Sequence, residues 1–214
     1  MPKKEILDKL KERLLAYDEE AVAKTAKEVI DEGLDPLKAL NILTTTVREI
    51  GDKYGAGELW LPELMMAADA TRAGTAILMP AIPAGEEAPT LGTFVIGTVK
   101  GDLHDIGKTI VGTMLAAAGF NVVDLGIDVP PSAFAEAAQK NKADIVGASA
   151  LMLTTIPTQR DIIEYFEALG IREKYKIMVG GGACGSDYAK KIGADAYAEN
   201  AVEAVKVATK LVAK

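Results

Sequence analysis

The sequence predicts an α/β protein in two parts: a small antiparallel bundle of four helices, then a doubly wound sheet of five parallel strands. Three observations predict it. Residues 5 to about 82 place apolar side chains at helical spacing with almost no strand signal. From about residue 93 onward, short apolar runs alternate with amphipathic stretches, the grammar of strand, helix, strand, helix. Between them, Pro80-Ala81-Ile82-Pro83-Ala84-Gly85-Glu86-Glu87-Ala88-Pro89 combines three prolines, a glycine and two acids, a composition suited to an exposed linker. The expected domains are therefore 1–88 and 89–214, with the boundary falling near residues 83 to 91.

Ile6, Leu7, Leu10, Leu14 and Leu15 mark the first helix. Val22, Ala26, Val29 and Ile30 mark the second, with Asp18 as its N-cap and Gly33 as its stop. Asp35-Pro36 starts a third, since proline is preorganised for a first helical turn; Ile42, Leu43, Val47 and Ile50 line one side, and Gly51 to Gly57 is expected to end it. The fourth begins near Leu61-Pro62 and runs through Leu64, Met65, Ala68, Ile77 and Leu78. Strands are predicted at 93–99, 121–125, 144–149, 176–179 and 194–198. Helices are predicted at 107–118, 131–140, 155–169, 186–192 and 201–212. Five such pairs give a parallel sheet covered on both faces, in the flavodoxin-like order 2-1-3-4-5.

Composition excludes several classes of function. The 214 residues are 49% hydrophobic, enough for real cores, and no run resembles a membrane span. Met1-Pro2-Lys3-Lys4-Glu5 leads into a charged amphipathic pattern with no sign of a secretory leader, so a cytoplasmic location is the default expectation and no membrane partner is expected. A formal charge of −7, with no basic stripe, argues against nucleic acid as a partner. The single Cys184 cannot form an internal disulfide or a thiolate cluster.

The only histidine sits in Gly101-Asp102-Leu103-His104-Asp105-Ile106-Gly107, between an apolar run and a helical segment. An imidazole two residues after an aspartate suits a metal ligand whose other ring nitrogen is fixed by a carboxylate. In a 2-1-3-4-5 sheet, ligands bind beyond the carboxyl ends of strands 1 and 3, where the winding reverses. Strand 1 runs out into Asp102 and His104, strand 3 into Ser149-Ala150-Leu151-Met152-Leu153-Thr154-Thr155, and strand 4 into Gly180-Gly181-Gly182. Taken singly, each piece has a structural reading: a loop histidine, an Asp105 that caps the next helix, turn hydroxyls, a tight glycine turn. Their conjunction at one crevice points to a ligand. Gly107-Lys108-Thr109 imitates a phosphate-binding loop, but the required spacing puts Asp102 where the first glycine belongs, so a nucleotide hydrolase is set aside.

Asp102-x-His104-x-x-Gly107, followed by Ser149-x-Leu151 and Gly180-Gly181, resembles the cobalamin-binding signature of methionine synthase and of the corrinoid proteins of methyltransferase systems. Gly57-Glu58-Leu59-Trp60-Leu61-Pro62-Glu63-Leu64-Met65 is similar to a segment of that family's helical cap, so the resemblance covers nearly the whole chain. It looks closest to stand-alone corrinoid proteins serving methylamine, methanol, betaine or methoxyaromatic methyltransferases. Two departures stand out: Leu153 where threonine is common, and Gly182-Ala183-Cys184-Gly185 after the glycine pair.

The resemblance implies a cobalamin or related corrinoid cofactor, cycling between cob(I)alamin and methylcob(III)alamin. His104 would bind cobalt from below in place of the cofactor's own base, with Asp102 and a hydroxyl, Thr155 or its neighbour Thr154, tuning the imidazole. Leu103, Asp105, Ile106, Gly107, Val111, Ser149, Leu151, Gly180, Gly181 and Gly182 would line the path of the cofactor and its nucleotide tail. Trp60, Leu61, Leu64 and Met65 would shield the upper face, the linker would act as a hinge, and Cys184 would pack or line the tail. The implied function is a methyl carrier of one-carbon metabolism such as methanogenesis or acetogenesis, not an independent enzyme. Its implied partners are a substrate-specific methyltransferase, a second methyltransferase acting on a thiol cofactor or tetrahydrofolate, and a reductive activase. Two alternatives are weaker: a cobalamin-dependent sensor, because few residues flank the predicted elements and the balance is acidic, and a mutase domain, because a helical cap is present without a catalytic barrel.

Overall fold

The computed structural model describes residues 3–82 and 90–213. The chain folds as two compact units, residues 1–90 with 116–119, and residues 91–115 with 120–214.

The first unit holds four helices: α1 (Lys3–Leu15), α2 (Glu19–Asp31), α3 (Pro36–Gly55) and α4 (Leu61–Leu78). Local chemistry sets their starts. Asp18 Oδ1 accepts the Ala21 N–H at 2.9 Å and Asp35 Oδ1 accepts the Leu37 N–H at 2.9 Å, so each aspartate satisfies a donor that its helix leaves unpaired. At α4, the Glu63 carboxylate instead reaches back to the Trp60 N–H at 2.8 Å. Leu10, Leu14, Val22, Ala26, Val29, Leu43, Val47, Leu64, Ala67 and Ala70 are buried at helical spacing and form the core. A Cβ at Gly74 on α4 would come within 2.8 Å of Leu43 Cδ1 and 2.9 Å of Val22 Cγ1, so these side chains fill the space the glycine leaves.

α3 ends at Gly55, inside the stretch from Gly51 to Gly57 where its end is expected; Gly51 itself stays helical, because one glycine inside a long amphipathic helix costs only about 1 kcal/mol and the buried Val47 and Ile50 hold it. One sequence expectation changes here. Pro80 and Ala81 belong to a 3-10 turn, Met79–Ala81, and not to an irregular linker; proline's fixed φ suits the start of such a turn. The rest of the linker and hinge, 83–89, lies outside the described residues.

The second unit alternates β1 (Thr93–Thr98), α5 (Ile106–Ala117), β2 (Asn121–Asp124), α6 (Pro131–Lys140), β3 (Ile145–Ser149), α7 (Pro157–Ala168), β4 (Lys176–Gly180), α8 (Ser186–Lys191), β5 (Ala196–Tyr197) and α9 (Ala201–Val212). The sheet order is β2-β1-β3-β4-β5, every neighbouring pair parallel. β1 and β3 are buried along nearly their whole length, as strands covered on both faces must be. Phe94, Phe134 and Phe166 are fully buried, each contributing about 2–3 kcal/mol of apolar transfer. Several ends shift by one residue, and two starts shift by two. α7 starts at Pro157, leaving Thr155 in the preceding turn, and β5 shortens to two residues. Proline is favoured at a first helical position, where its missing N–H would be unpaired anyway, and Pro157 takes that place.

Candidate functional site

Beyond Thr98, the strand ladder ends and the chain turns sharply. Val99 still bridges to Val129, its N–H donating to the Ser149 carbonyl at 3.0 Å, before the turn at Gly101 carries Asp102 inward. Asp102 is completely buried. A buried carboxylate is costly unless its lone pairs are filled, and here they are. Oδ1 accepts the His104 backbone N–H at 3.0 Å and lies 2.7 Å from His104 Nδ1. Oδ2 accepts the Leu151 N–H at 2.8 Å, the Met152 N–H at 3.3 Å and the Thr155 hydroxyl at 2.6 Å. The Met152 carbonyl is also within 3.0 Å of that hydroxyl, but the single proton goes to the closer, charged oxygen.

Burial alone would push the Asp102 carboxyl upward, but the hydrogen bonds from Thr155, His104 and Leu151 outweigh it and hold the group well below the usual carboxylate range. Asp102 is therefore ionised at neutral pH. An ionised Oδ1 that only accepts assigns the proton between it and His104 to Nδ1, which leaves Nε2 as the basic nitrogen. The His104 side chain is 51% exposed, so Nε2 has the access a ligand needs while Nδ1 is anchored. The Thr98 hydroxyl, fully buried, donates to the His104 carbonyl at 3.0 Å and closes the loop on itself.

Around this histidine the surface is unusually apolar for a strand-end rim. Leu103, Ile106, Ile127, Leu151 and Leu153, which follow β1, β2 and β3, are exposed, Leu153 by 80% and Ile106 by 77%. Leu153 thus adds apolar surface. Asp105 and Gly107 are exposed at the start of α5, where the Asp105 carbonyl accepts the Thr109 N–H at 2.7 Å, and Val111 is half-buried one turn on.

The structure separates the two candidate hydroxyls: Thr155 is buried against Asp102, whereas Thr154 is exposed. Ser149 lies half-buried at the end of β3. Gly181 is required by the protein's own packing, because a Cβ there would sit 1.9 Å from the Ala150 carbonyl oxygen and its φ is +114°. Gly180 accepts the Ala150 N–H through its carbonyl at 3.1 Å, and Gly182 faces the Leu151 side chain. Burial pushes the Cys184 thiol up to about 11, which suits packing and not nucleophilic attack. Lys108, the lysine of the phosphate-loop imitation, is buried and paired with Asp124 on β2, so it is not offered to a phosphate. In the helical unit Trp60 is 81% exposed, Met65 exposed and Leu61 half-buried; Leu64 is core and not part of any open face.

Three contributors escaped the sequence reading. Asp128 grips the loop before Asp102: its Oδ1 accepts the Gly101 N–H at 2.8 Å and its own N–H donates to the Asp102 carbonyl at 3.1 Å. Gln159, fully buried, donates from Nε2 to the carbonyls of Ala148 at 2.9 Å and Gly180 at 2.8 Å, tying the ends of β3 and β4 together. Ile127 joins the apolar rim. None of the three carries a local sequence signal; only the aspartate in Gly126-Ile127-Asp128, a turn-forming residue after a strand, hints at a loop role.

A doubly wound sheet with a carboxylate-anchored histidine beside an apolar rim at its switch point is a site suited to a ligand with an apolar face that one imidazole nitrogen can meet. Comparison with known proteins specifies which. The family described as B12 binding domain matches residues 92–206, and a second family of the same description matches residues 6–79. Dimethylamine corrinoid protein 1 of Methanosarcina acetivorans is 45% identical over 214 residues, covering 100% of both chains. The trimethylamine corrinoid protein of Methanosarcina barkeri is 42% identical over 205 residues, covering 95% of this chain and 94% of that one. Among solved structures, the methanol:cobalamin methyltransferase complex MtaBC of Methanosarcina barkeri matches with a TM-score of 0.87 at 32% identity, over 99% of this chain and 81% of that one. The chain belongs to the corrinoid protein family, whose cofactor is cobalamin or a related corrinoid. Among the described residues no helix is long and apolar enough to cross a membrane.

Proposed function

We propose that this protein is a methyl carrier of a methylamine- or methanol-type methyltransferase system, with the corrinoid bound through His104. The observation that carries the reading is the division of labour on one imidazole: Nδ1 is held by a buried, ionised Asp102, and the ring is half-exposed beside an apolar rim. That donor set fits a corrinoid, which needs one nitrogen ligand and an apolar bed for its macrocycle. The curated relatives named as dimethylamine and trimethylamine corrinoid proteins supply the methyltransferase context.

When bound, a corrinoid supplies a strongly nucleophilic, reducible cobalt that can take a methyl group from a poor leaving group and pass it on. The chain's own residues set the conditions. His104 Nε2 is the ligand atom, and Asp102 orients it by accepting the Nδ1 proton. Thr155, donating to the far oxygen of Asp102, spreads the carboxylate's charge and holds it in place. Leu103, Ile106, Gly107, Val111, Leu151, Leu153 and Ser149 form the bed, with the 180–182 turn beside them. Residues 1–88 are the helical domain, with Trp60, Leu61 and Met65 on it, and residues 89–214 are the cofactor domain. The partners are a substrate-specific methyltransferase, a second methyltransferase with a one-carbon acceptor, and a reductive activase.

The test is to load purified protein with hydroxocobalamin under reducing conditions, desalt, and measure cobalt and the visible spectrum. Retained cobalt with a histidine-coordinated spectrum, lost in His104→Ala, is the expected result; failure to retain cobalt would sink the reading. Transfer of methyl from the methylated protein to a partner methyltransferase separates a carrier from a cobalamin sensor.

A further inference from the structure

The loop that carries His104 is gripped from a neighbouring loop by an aspartate that has no place in the ligand set. Asp128 lies between β2 and α6, at a point where Val99 and Val129 bridge and the Val129 N–H donates to the Thr98 carbonyl at 3.0 Å, so the two loops leave the sheet side by side. Its Oδ1 accepts the Gly101 N–H at 2.8 Å, its Oδ2 accepts the Lys100 ammonium at 2.8 Å, and its N–H donates to the Asp102 carbonyl at 3.1 Å. Two of these bonds form a reciprocal clamp on the turn that carries Asp102 inward, and Asp102 in turn fixes His104. Asp128 adopts φ +55°, a left-handed backbone that aspartate and asparagine tolerate better than most residues. A strained conformation kept for a two-way clamp is the mark of a residue whose place matters more than its own comfort.

We propose that Asp128 is a positioning residue for the histidine ligand: it sets the Gly101–Asp102 turn, and through Asp102 Oδ1 it sets the direction in which His104 Nε2 points. The work is done by the backbone clamp, and the exposed ion pair with Lys100 adds little. Its functional meaning rests on the reading of His104 as the corrinoid ligand, but the clamp acts before any cofactor is bound.

Because His104 is the only histidine, the cofactor-free protein labelled with ¹⁵N-histidine gives a single set of ring signals. Wild type is expected to show one ordered ring protonated at Nδ1. Asp128→Gly keeps the left-handed backbone but removes the acceptor, so its ring signals should broaden or shift toward the mixed-tautomer values of a free imidazole, and its affinity for hydroxocobalamin should fall about tenfold. Asp128→Asn retains an Oδ1 acceptor and the backbone tolerance and should restore both readouts, as should Lys100→Met, which removes only the ion pair. The proposal is overturned if Asp128→Gly leaves the ring signals unchanged, or if Asp128→Asn and Lys100→Met are as impaired as the glycine variant. Amide exchange decides the matter even where Asp128→Gly does not fold: the Gly101 N–H of wild type, on an exposed residue, should be protected, and exchange at the rate of an unstructured amide would contradict the clamp. Should cobalt binding fail while the apo ring is ordered as described, it is the cofactor reading that falls and not the clamp.

Discussion

The turns after β1 and after β4 flank the same crevice but are held by opposite means. After β1, side chains do the holding: Asp102 collects donors from His104, Leu151, Met152 and Thr155, and Asp128 clamps the turn from outside. After β4, absence of a side chain does it, since Gly181 lets its backbone rest against Ala150 where no Cβ fits. A glycine turn of this kind has one geometry. A turn hung on a carboxylate and a hydroxyl depends instead on the charge of that carboxylate and on each donor it collects.

Substitutions that attack each device separately break or sharpen this contrast. Gly181→Ala should have the largest effect, since its Cβ would meet the Ala150 oxygen, carbon and nitrogen at 1.9, 2.6 and 2.9 Å in a backbone region unfavourable to side chains. A loss of about 4 kcal/mol or more in denaturant unfolding is expected, and unchanged stability would show the turn to be adaptable after all. Asp102→Ala comes next. It orphans buried donors on two loops, and a loss of about 3 kcal/mol is expected in the same assay, together with disorder of the His104 ring. Thr155→Val removes one hydroxyl donor and keeps the shape, so stability should fall by about 1 kcal/mol. Thr155→Ser should restore it.

A pH dependence follows from the same carboxylate. Asp102 is held below its ordinary range in the folded protein, so the stability it contributes is fully present above the unfolded carboxylate value, roughly pH 4, and is lost as pH falls through the lower folded value. Acid titrations of stability should therefore be steeper for wild type than for Asp102→Asn below about pH 4 and parallel above it.

Much of this was readable from residue order because it is local. The β1 to β5 alternation, the Asp18 cap and the Asp35-Pro36 helix start follow from periodicity and short-range chemistry, the 2-1-3-4-5 order is a common way to wind such an alternation, and Asp102 and His104 are two residues apart. Thr155 was named with its neighbour as an alternative, because adjacent threonines look alike until the Pro157 start of α7 decides which of them faces inward. What stayed hidden is long-range. Asp128 meets Gly101 from 27 residues away, and Gln159 meets Gly180 from 21. Lys108 finds Asp124 only once α5 has packed on the sheet. The glycine run after β4 read as room for a ligand, whereas at Gly181 the room is taken by Ala150.

The ligand itself can be tested through the same isotope label. Loaded with corrinoid and reduced to the Co(II) state, the protein gives an electron paramagnetic resonance spectrum whose nitrogen splitting reports the axial ligand. Replacing natural-abundance histidine with ¹⁵N-histidine should change that splitting from a triplet to a doublet, since His104 is the one histidine present. A splitting that does not respond to the label, with cobalt retained, would mean that His104 is not the ligand and that Asp102 serves only the loop.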